Sequence, residues 1–287
     1  MKQEKRQGIL FIIGAGFFFA LMTFFVRLSG DLPTMEKAFF RNAVAAVVAA
    51  FLLIRAKEPF YASKKSWGGL FMRSFCGTVG LICNFYAIDR LNIADANMLN
   101  KLSPFFTIIF SYFLLKERLT LFQGIAVVVA FMGALFIIKP TGNMTDPAAL
   151  IGMLGGAGAG AAYSFVRVLG KRGVNGKLIV MFFSAFTCVF ALPFLIGHFA
   201  PMKWWQVAAM IAAGFGGAGG QIFVTKAYFY APAKEISVFD YSQIMFSALM
   251  GFLVLGQKPD MLSLCGYVII CTTAVCMYFY NKNRRTL

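Results

Sequence analysis

The chain of 287 residues is too apolar to fold as a water-soluble protein. Hydrophobic residues make up 60% of it and charged residues only 13%, whereas a soluble domain of this size needs a far more polar surface. The formal net charge of +16 suits contact with anionic lipid, so the charge gives no reason to invoke a nucleic-acid partner. The composition therefore indicates an integral protein of the lipid bilayer.

Ten apolar runs follow one another along the chain, each about 20 residues long, which lets a helix span about 30 Å of hydrocarbon. They lie at 8–28, 35–54, 66–88, 93–115, 119–138, 149–169, 177–197, 204–229, 235–255 and 261–280. We expect the first run to be retained, because it is too long for a signal peptide and lacks a clear cleavage site. The expected fold class is an all-α membrane protein with ten transmembrane helices, here called spans 1 to 10.

Lysine and arginine are distributed unevenly between the segments that connect the spans. If the N-terminus lies in the cytoplasm, sixteen basic residues face the cytoplasm and four face the other side. This is the bias expected of a membrane protein. We therefore expect both termini in the cytoplasm and place the protein in the cytoplasmic (inner) membrane of a bacterium.

The sequence does not indicate a metal, redox or catalytic site. All six cysteines lie inside apolar runs without a Cys-X-X-Cys pair, and His198 is the only histidine. No nucleophile is paired with a base, and no paired carboxylates or metal-ligand cluster can be found. We therefore predict that the protein is not an enzyme and uses no cofactor.

The second half of the chain repeats the first at a constant offset of 140 residues. Residues 25–30 read FVRLSG, and residues 165–170 read FVRVLG. Other positions that coincide are Gly77 with Gly217, Asp95 with Glu235 and Phe106 with Phe246. Because each half holds five helices, an odd number, the second half enters the membrane from the other face. We expect two inverted five-helix units, 1–145 and 146–287.

This arrangement resembles the EamA-type branch of the drug/metabolite transporter superfamily over nearly the whole chain. The resemblance is carried by FFRNAVAA in span 2, NKLSPFFTIIFSYFLLKERLT across span 4, and KAYFYAPAKEISVFDYSQIMFSALMGFLVLGQKPD across spans 8 and 9. It implies alternating access through a central cavity lined by spans 1, 3, 4, 6, 8 and 9 with parts of 2 and 7, leaving spans 5 and 10 at the periphery. An acid often ends spans 4 and 9 in this family; Glu117 keeps it, whereas Gln257 does not.

Polar residues recur at helical spacing on one face of several spans, and such faces avoid lipid and turn towards the interior or a wet cavity. Arg73 and Asn84 share a face of span 3, and Asn97 and Lys101 share one of span 4. Glycines on these faces allow either close helix packing or clearance for a substrate. The predicted substrate contacts are Lys101, Arg73, Asn84, Asn97, Arg41, Tyr163, Gln221, Lys226, Tyr241 and Tyr86.

Lys101 gives the sharpest single signal, because it lies about eight residues, or roughly 12 Å, into span 4. A cation at that depth is costly unless it meets water or a counter-charge. Pro104 leaves the carbonyl of Asn100 without its helical partner, so we expect span 4 to be bent or loosened there. Three interpretations of Lys101 are open: substrate contact, a structural ion pair with Asp240, and snorkelling to the membrane surface.

Basic residues outnumber acids within the spans. The basic residues are Arg27, Arg41, Arg73, Lys101, Arg167 and Lys226, and Asp240 is the only acid that we expect well inside a span. Because a positive cavity attracts anions, we expect a secondary-active transporter of a small organic anion, such as a di- or tricarboxylate.

Several alternatives remain at the level of function. The same fold could move amino acids or a bulkier neutral or zwitterionic metabolite held by Phe and Tyr walls; a membrane enzyme or a channel is less favoured. Asp240 and Glu117 are candidate coupling or structural acids, so transport could be coupled to protons or to a counter-substrate. The protein is expected to act as a monomer or a homodimer.

Overall fold

The computed structural model describes residues 2–115, 120–138, 147–230 and 237–283. Over these residues the secondary structure is helical, without strands, which confirms the all-α prediction. The helices are α1 (Lys2–Leu28), α2 (Thr34–Arg55), α3 (Trp67–Arg90), α4 (Ile93–Asn100), α5 (Ser103–Leu115), α6 (Leu121–Ile138), α7 (Pro147–Lys171), α8 (Gly176–His198), α9 (Trp204–Tyr230), α10 (Ser242–Leu255) and α11 (Met261–Asn283). Short 3-10 helices at Lys64–Ser66 and Ser237–Tyr241 precede α3 and α10.

Seven described helical segments are long and apolar enough to cross a membrane. They are Arg6–Leu28, Thr34–Arg55, Lys64–Arg90, Pro147–Lys171, Gly176–His198, Trp204–Ala227 and Met261–Tyr280. Two shorter apolar helices cover Leu121–Phe136 and Phe239–Leu255. The length and apolar character of these segments are those of an integral membrane protein.

Span 4 is interrupted in the structure. α4 ends at Asn100, and α5 begins at Ser103. Between them the amide of Leu102 bonds the carbonyl of Leu99 at 3.2 Å, a tighter turn than the α-helix makes. Pro104 supplies no N–H to the carbonyl of Asn100, and its ring would collide with that carbonyl in a continuous helix. The bend predicted at this proline is a complete break between two helices.

A change of helix type occurs at the matching position of the other half. In the described part of span 9, the 3-10 helix Ser237–Tyr241 leads directly into the α-helix that begins at Ser242. At the offset of 140 residues Tyr241 is the counterpart of Lys101, and the Tyr241 hydroxyl donates to the carbonyl oxygen of Lys101 at 3.0 Å. The two irregular segments therefore contact each other directly.

Close approach of α7 to its neighbours depends on glycine. A Cβ atom added to Gly158 would lie 2.7 Å from the Cα of Gly80 and 2.8 Å from the carbonyl oxygen of Cys76 in α3. A Cβ atom at Gly156 would lie 2.6 Å from the carbonyl oxygen of Leu99 in α4. Because these neighbours are backbone atoms that cannot rotate away, helix packing explains the two α7 glycines.

Helices α6 and α11 pack on each other at the edge of the fold. Their contact forms one apolar cluster with Ala126, Ala130, Ala134, Ile270 and Ala274. Large apolar side chains on the same two helices, such as Val128 and Val268, are mostly exposed, as expected of surfaces that face lipid. Within the described residues, neither helix lines the central cavity, which agrees with the peripheral place implied for spans 5 and 10.

Candidate functional site

A partly open cavity of about 70 Å³ lies between helices of both halves of the chain. Its walls come from α1, α2, α3, α7, α8, α9 and α10 and from the break between α4 and α5. Six of the predicted substrate contacts line it: Arg41, Arg73, Asn84, Lys101, Tyr163 and Gln221. The polar pattern of the sequence therefore identified residues on several helices that line this cavity.

The cavity extends towards one face of the protein. A smaller adjoining cavity shares Arg73, Tyr163 and Gln221 with the first and continues past Ile179 and Thr225. These last two residues lie near the start of α8 and the end of α9. The same face holds the start of α3 and the end of α7, where Arg172 donates to the carbonyl of Lys65. We call this side of the protein, with the starts of α3 and α8 and the ends of α7 and α9, the basic face.

The guanidinium of Arg73 is the most prominent group in the cavity. The residue is only 3% exposed, and its Cζ atom lies 4.0 Å from the centroid of the Phe183 ring. Its Nη2 atom donates to Oε1 of Gln221 at 3.3 Å. The Nε atom has no hydrogen-bond partner among the described residues. One strong donor thus stays available beside the cavity.

Arg41 occupies a similar position on α2 and is 1% exposed. Its Nη1 atom donates to Oδ1 of Asn42 at 2.6 Å, and its Nε atom contacts the sulfur of Met22 at 3.2 Å. It fits because position 217 is glycine, since any Cβ atom there would collide with the guanidinium. Neither Arg41 nor Arg73 forms an ion pair within the part of the chain that the structure describes.

Lys101, at the break in span 4, and Asp240, in the 3-10 segment of span 9, form an ion pair. Their Nζ and Oδ2 atoms are 2.6 Å apart, and the side chains are 6% and 9% exposed. The snorkelling interpretation of Lys101 is therefore wrong, because the ammonium turns inward to a carboxylate. Lys101 also lines the cavity, so the two other interpretations, ion pair and substrate contact, do not exclude each other. The second carboxylate oxygen of Asp240 has no hydrogen-bond partner among the described residues.

Asn97 lies behind the cavity wall rather than in it. Its side-chain nitrogen donates to Thr23 at 3.1 Å and Ser247 at 2.9 Å, and its oxygen accepts from Gln243 at 2.9 Å. These bonds join α1, α4 and α10. Gln243 itself lines the cavity, although the polar spacing of the sequence did not single it out.

The structure does not place the remaining predicted contacts on the cavity. Lys226 is exposed, with its ammonium 5.4 Å from the centroid of the Phe11 ring. Tyr86 carries the guanidinium of Arg90 3.7 Å above its ring, and Tyr241 is buried against Lys101. Glu117 lies outside the described residues.

Three acids near the ends of the spans are largely withdrawn from water, which the sequence did not predict. Glu36 is 1% exposed and Asp95 is buried, while Asp89 lies 2.6 Å from the ammonium of Lys37. These residues lie near the ends of apolar runs, where charged side chains usually reach the membrane surface, so their burial could not be inferred from the sequence. Among the described residues, no cluster of His, Cys, Asp and Glu could hold a metal ion.

Three comparisons relate this chain to known proteins. The profile described as "EamA-like transporter family" matches residues 6–139 and again 150–279. The pseudopaline exporter CntI of Pseudomonas aeruginosa is 31% identical over 95% of this chain and 96% of its own length. The S-adenosylmethionine uptake transporter of Rickettsia prowazekii is 23% identical, over 89% and 86%. A protein of known crystal structure, 17% identical, shares the fold with a TM-score of 0.66 over 97% and 98% of the two chains.

Proposed function

Because this chain belongs to the EamA-like transporter family, we propose that it moves a small organic anion with carboxylate groups across the membrane by alternating access. Family membership identifies the chain as a membrane transporter of the drug/metabolite transporter superfamily and not as an enzyme, as the sequence predicted. It also implies a small-molecule substrate.

The observation that carries the substrate proposal is the pair of buried arginines without a counter-charge. Arg41 and Arg73 both line the cavity and form no ion pair among the described residues. A buried cation without an anion is unfavourable, and the planar guanidinium matches a carboxylate with two parallel hydrogen bonds. An anionic substrate would supply the counter-charge that the described residues do not.

The third cation favours a substrate with more than one carboxylate. Lys101 lines the same cavity, and its only described ion-pair partner is Asp240. Three cations thus line the cavity, and one described carboxylate is paired with one of them, which suits a dianion such as a dicarboxylate. Asn84, Gln221 and Gln243 provide neutral polar groups between the charges.

A zwitterionic or bulkier metabolite is the second candidate. The unpartnered oxygen of Asp240 could accept a hydrogen bond from an amine, and Phe19, Phe183 and Tyr163 offer ring surfaces to an apolar part. The two relatives compared above are named for different cargoes, pseudopaline and S-adenosylmethionine. Family membership alone therefore leaves the substrate class open.

For the architecture we propose ten spans in two inverted units, 1–145 and 146–287, with both termini in the cytoplasm of a bacterium. The family profile matches the chain twice, at 6–139 and 150–279, and the break in span 4 lies about 140 residues before the 3-10 segment of span 9. The positive-inside rule puts the basic face in the cytoplasm. Proton coupling through Asp240 or Glu117 and exchange with a counter-substrate both suit this plan, as do a monomer and a homodimer.

A competition assay on proteoliposomes tests the substrate class. We expect di- and tricarboxylates to inhibit uptake of a labelled dicarboxylate and to drive its counterflow, because they satisfy Arg41 and Arg73 together. The matching amides keep the shape but lose the charge, so they should not compete. Pseudopaline, S-adenosylmethionine and amino acids belong in the same panel. Transport of cationic or neutral compounds with no response to carboxylates would contradict the proposal.

A further inference from the structure

A second cluster of buried charges lies beyond one end of the cavity. Lys37 Nζ is 2.6 Å from Asp89 Oδ1; the lysine side chain is fully buried and the aspartate is 17% exposed. Arg27 donates through Nη1 to the carbonyl oxygen of Ile88 at 2.9 Å and to that of Asp89. These contacts join the end of α1, the start of α2 and the end of α3. We call Arg27, Lys37 and Asp89 the gate cluster.

The gate cluster lies directly beyond the cavity on each of its three helices. Each member lies four or five positions from a cavity-lining residue of the same helix, on the side away from the basic face. The pairs are Arg27 with Met22, Lys37 with Arg41, and Asp89 with Asn84. At 1.5 Å per residue, this separation is about 6–8 Å. A solute that left the cavity towards the face opposite the basic face would have to pass this cluster.

Further hydrogen bonds close the same end. The amide of Ala200, in the loop between α8 and α9, donates to Oε2 of Glu36 at 3.1 Å. The side chain of Gln206 on α9 donates to the carbonyl of Ser29 at 2.9 Å. These bonds tie helices of the second half to the ends of α1 and α2. The cavity extends in the opposite direction, towards the basic face.

We propose that the gate cluster is the gate of the transport cycle on the face opposite the basic face, an inference that rests on the proposed alternating access. While this face is closed, the Lys37 ammonium is withdrawn from water and depends on Asp89 for its counter-charge. When the helices separate, water reaches both groups and hydrates them. An ion pair in this place therefore stabilises the closed state and is released in the open one.

Among the described residues, the basic face shows no buried lysine–aspartate pair equivalent to Lys37 and Asp89. At the offset of 140 residues, Arg27 and Lys37 correspond to Arg167 and Lys177, but Asp89 corresponds to Phe229. Lys177 instead approaches Glu58 at 3.9 Å, and both side chains are more than one third exposed. Because the cavity extends towards the basic face and the buried pair closes the opposite one, the substrate-free protein is expected to rest with the basic face open.

Labelling of a cysteine in the cavity tests the gate without any substrate. Leu81 lines the cavity, so Leu81→Cys is introduced into a variant in which the six native cysteines are replaced. The anionic, membrane-impermeant reagent 2-sulfonatoethyl methanethiosulfonate is applied to spheroplasts and to inverted vesicles. With the gate intact we expect fast labelling from the basic face and slow labelling from the other face.

Two single variants, Asp89→Asn and Lys37→Met, are each expected to raise the rate of labelling from the face opposite the basic face by about tenfold or more. The charge-exchanged variant Lys37→Asp/Asp89→Lys is expected to return most of the way to the slow rate, which a general loosening of the fold would not do. Lys177→Met, which removes the lysine of the exposed pair, is the matched control and should leave that rate unchanged.

Two results would overturn the gate: no increase with either single variant, or an equal increase with Lys177→Met. If the proposed substrate class is incorrect, the labelling of Leu81→Cys should still follow the pattern expected of the gate. If the gate cluster does not act as a gate, the protein should still transport carboxylates. Failure of the inference and failure of the proposed substrate are therefore distinguishable.

Discussion

Arg73→Met is expected to reduce transport about 100-fold, which corresponds to the loss of one charge-assisted contact to a buried carboxylate. The same change is expected to stabilise the substrate-free protein by about 1–3 kcal/mol, because it removes a buried cation that has no ion-pair partner among the described residues. Arg73 has only Gln221 and the Phe183 ring as described side-chain partners, and no carboxylate is left unpaired when it is removed. Counterflow in proteoliposomes and thermal unfolding in detergent measure the two effects.

Arg55→Met is the control for this experiment. Arg55 is an exposed arginine at the end of α2, and it does not line the cavity. Its replacement should leave both transport and stability close to those of the parent protein. If Arg73→Met destabilised the protein and kept its transport, Arg73 would be a structural residue, and the charge argument for the cavity would fail.

Lys101→Met is expected to lower stability by about 3–5 kcal/mol, because it leaves the carboxylate of Asp240 buried without its cation. The double variant Lys101→Met/Asp240→Leu removes both charges and should recover most of that loss. Transport should remain abolished in the double variant, since the ammonium that faces the cavity is missing. Unfolding and counterflow of the two single variants and the double variant form a complete mutant cycle.

This cycle separates the two interpretations of Lys101 that the geometry leaves compatible. If Lys101 serves only to pair with Asp240, the double variant regains transport together with stability. If the lysine also contacts the substrate, the double variant regains stability but not transport. Regained transport would therefore contradict a substrate contact at Lys101 and would leave Arg41 and Arg73 as the only cations of the site.

Helical spacing in the sequence predicted the cavity wall well where a helix is regular. Arg73 and Asn84 were placed on one face of α3, and both line the cavity. Lys101 and its possible partner Asp240 were also identified, because a buried lysine needs a counter-charge and the repeat suggested where to find one. The break at Pro104 followed from the missing N–H of proline.

The sequence was less informative about the ends of the spans and about rotation around the helix axis. Lys37 and Asp89 lie close to span ends, where a charged side chain usually reaches water, and their burial depends on α1, α2 and α3 meeting there. Lys226 was expected in the cavity but is exposed beside Phe11. A shift of one or two residues around a helix moves a side chain from cavity to lipid, and helical spacing alone does not resolve it.

A structure with bound substrate tests the central claim most directly, namely that buried arginines in this cavity hold the carboxylates of the cargo. We expect carboxylate oxygens about 2.7–2.9 Å from nitrogen atoms of Arg73, with Arg41 or Lys101 on a second carboxylate. A cargo bound outside the cavity, or one that places an apolar or cationic group against these guanidinium groups, would contradict the account.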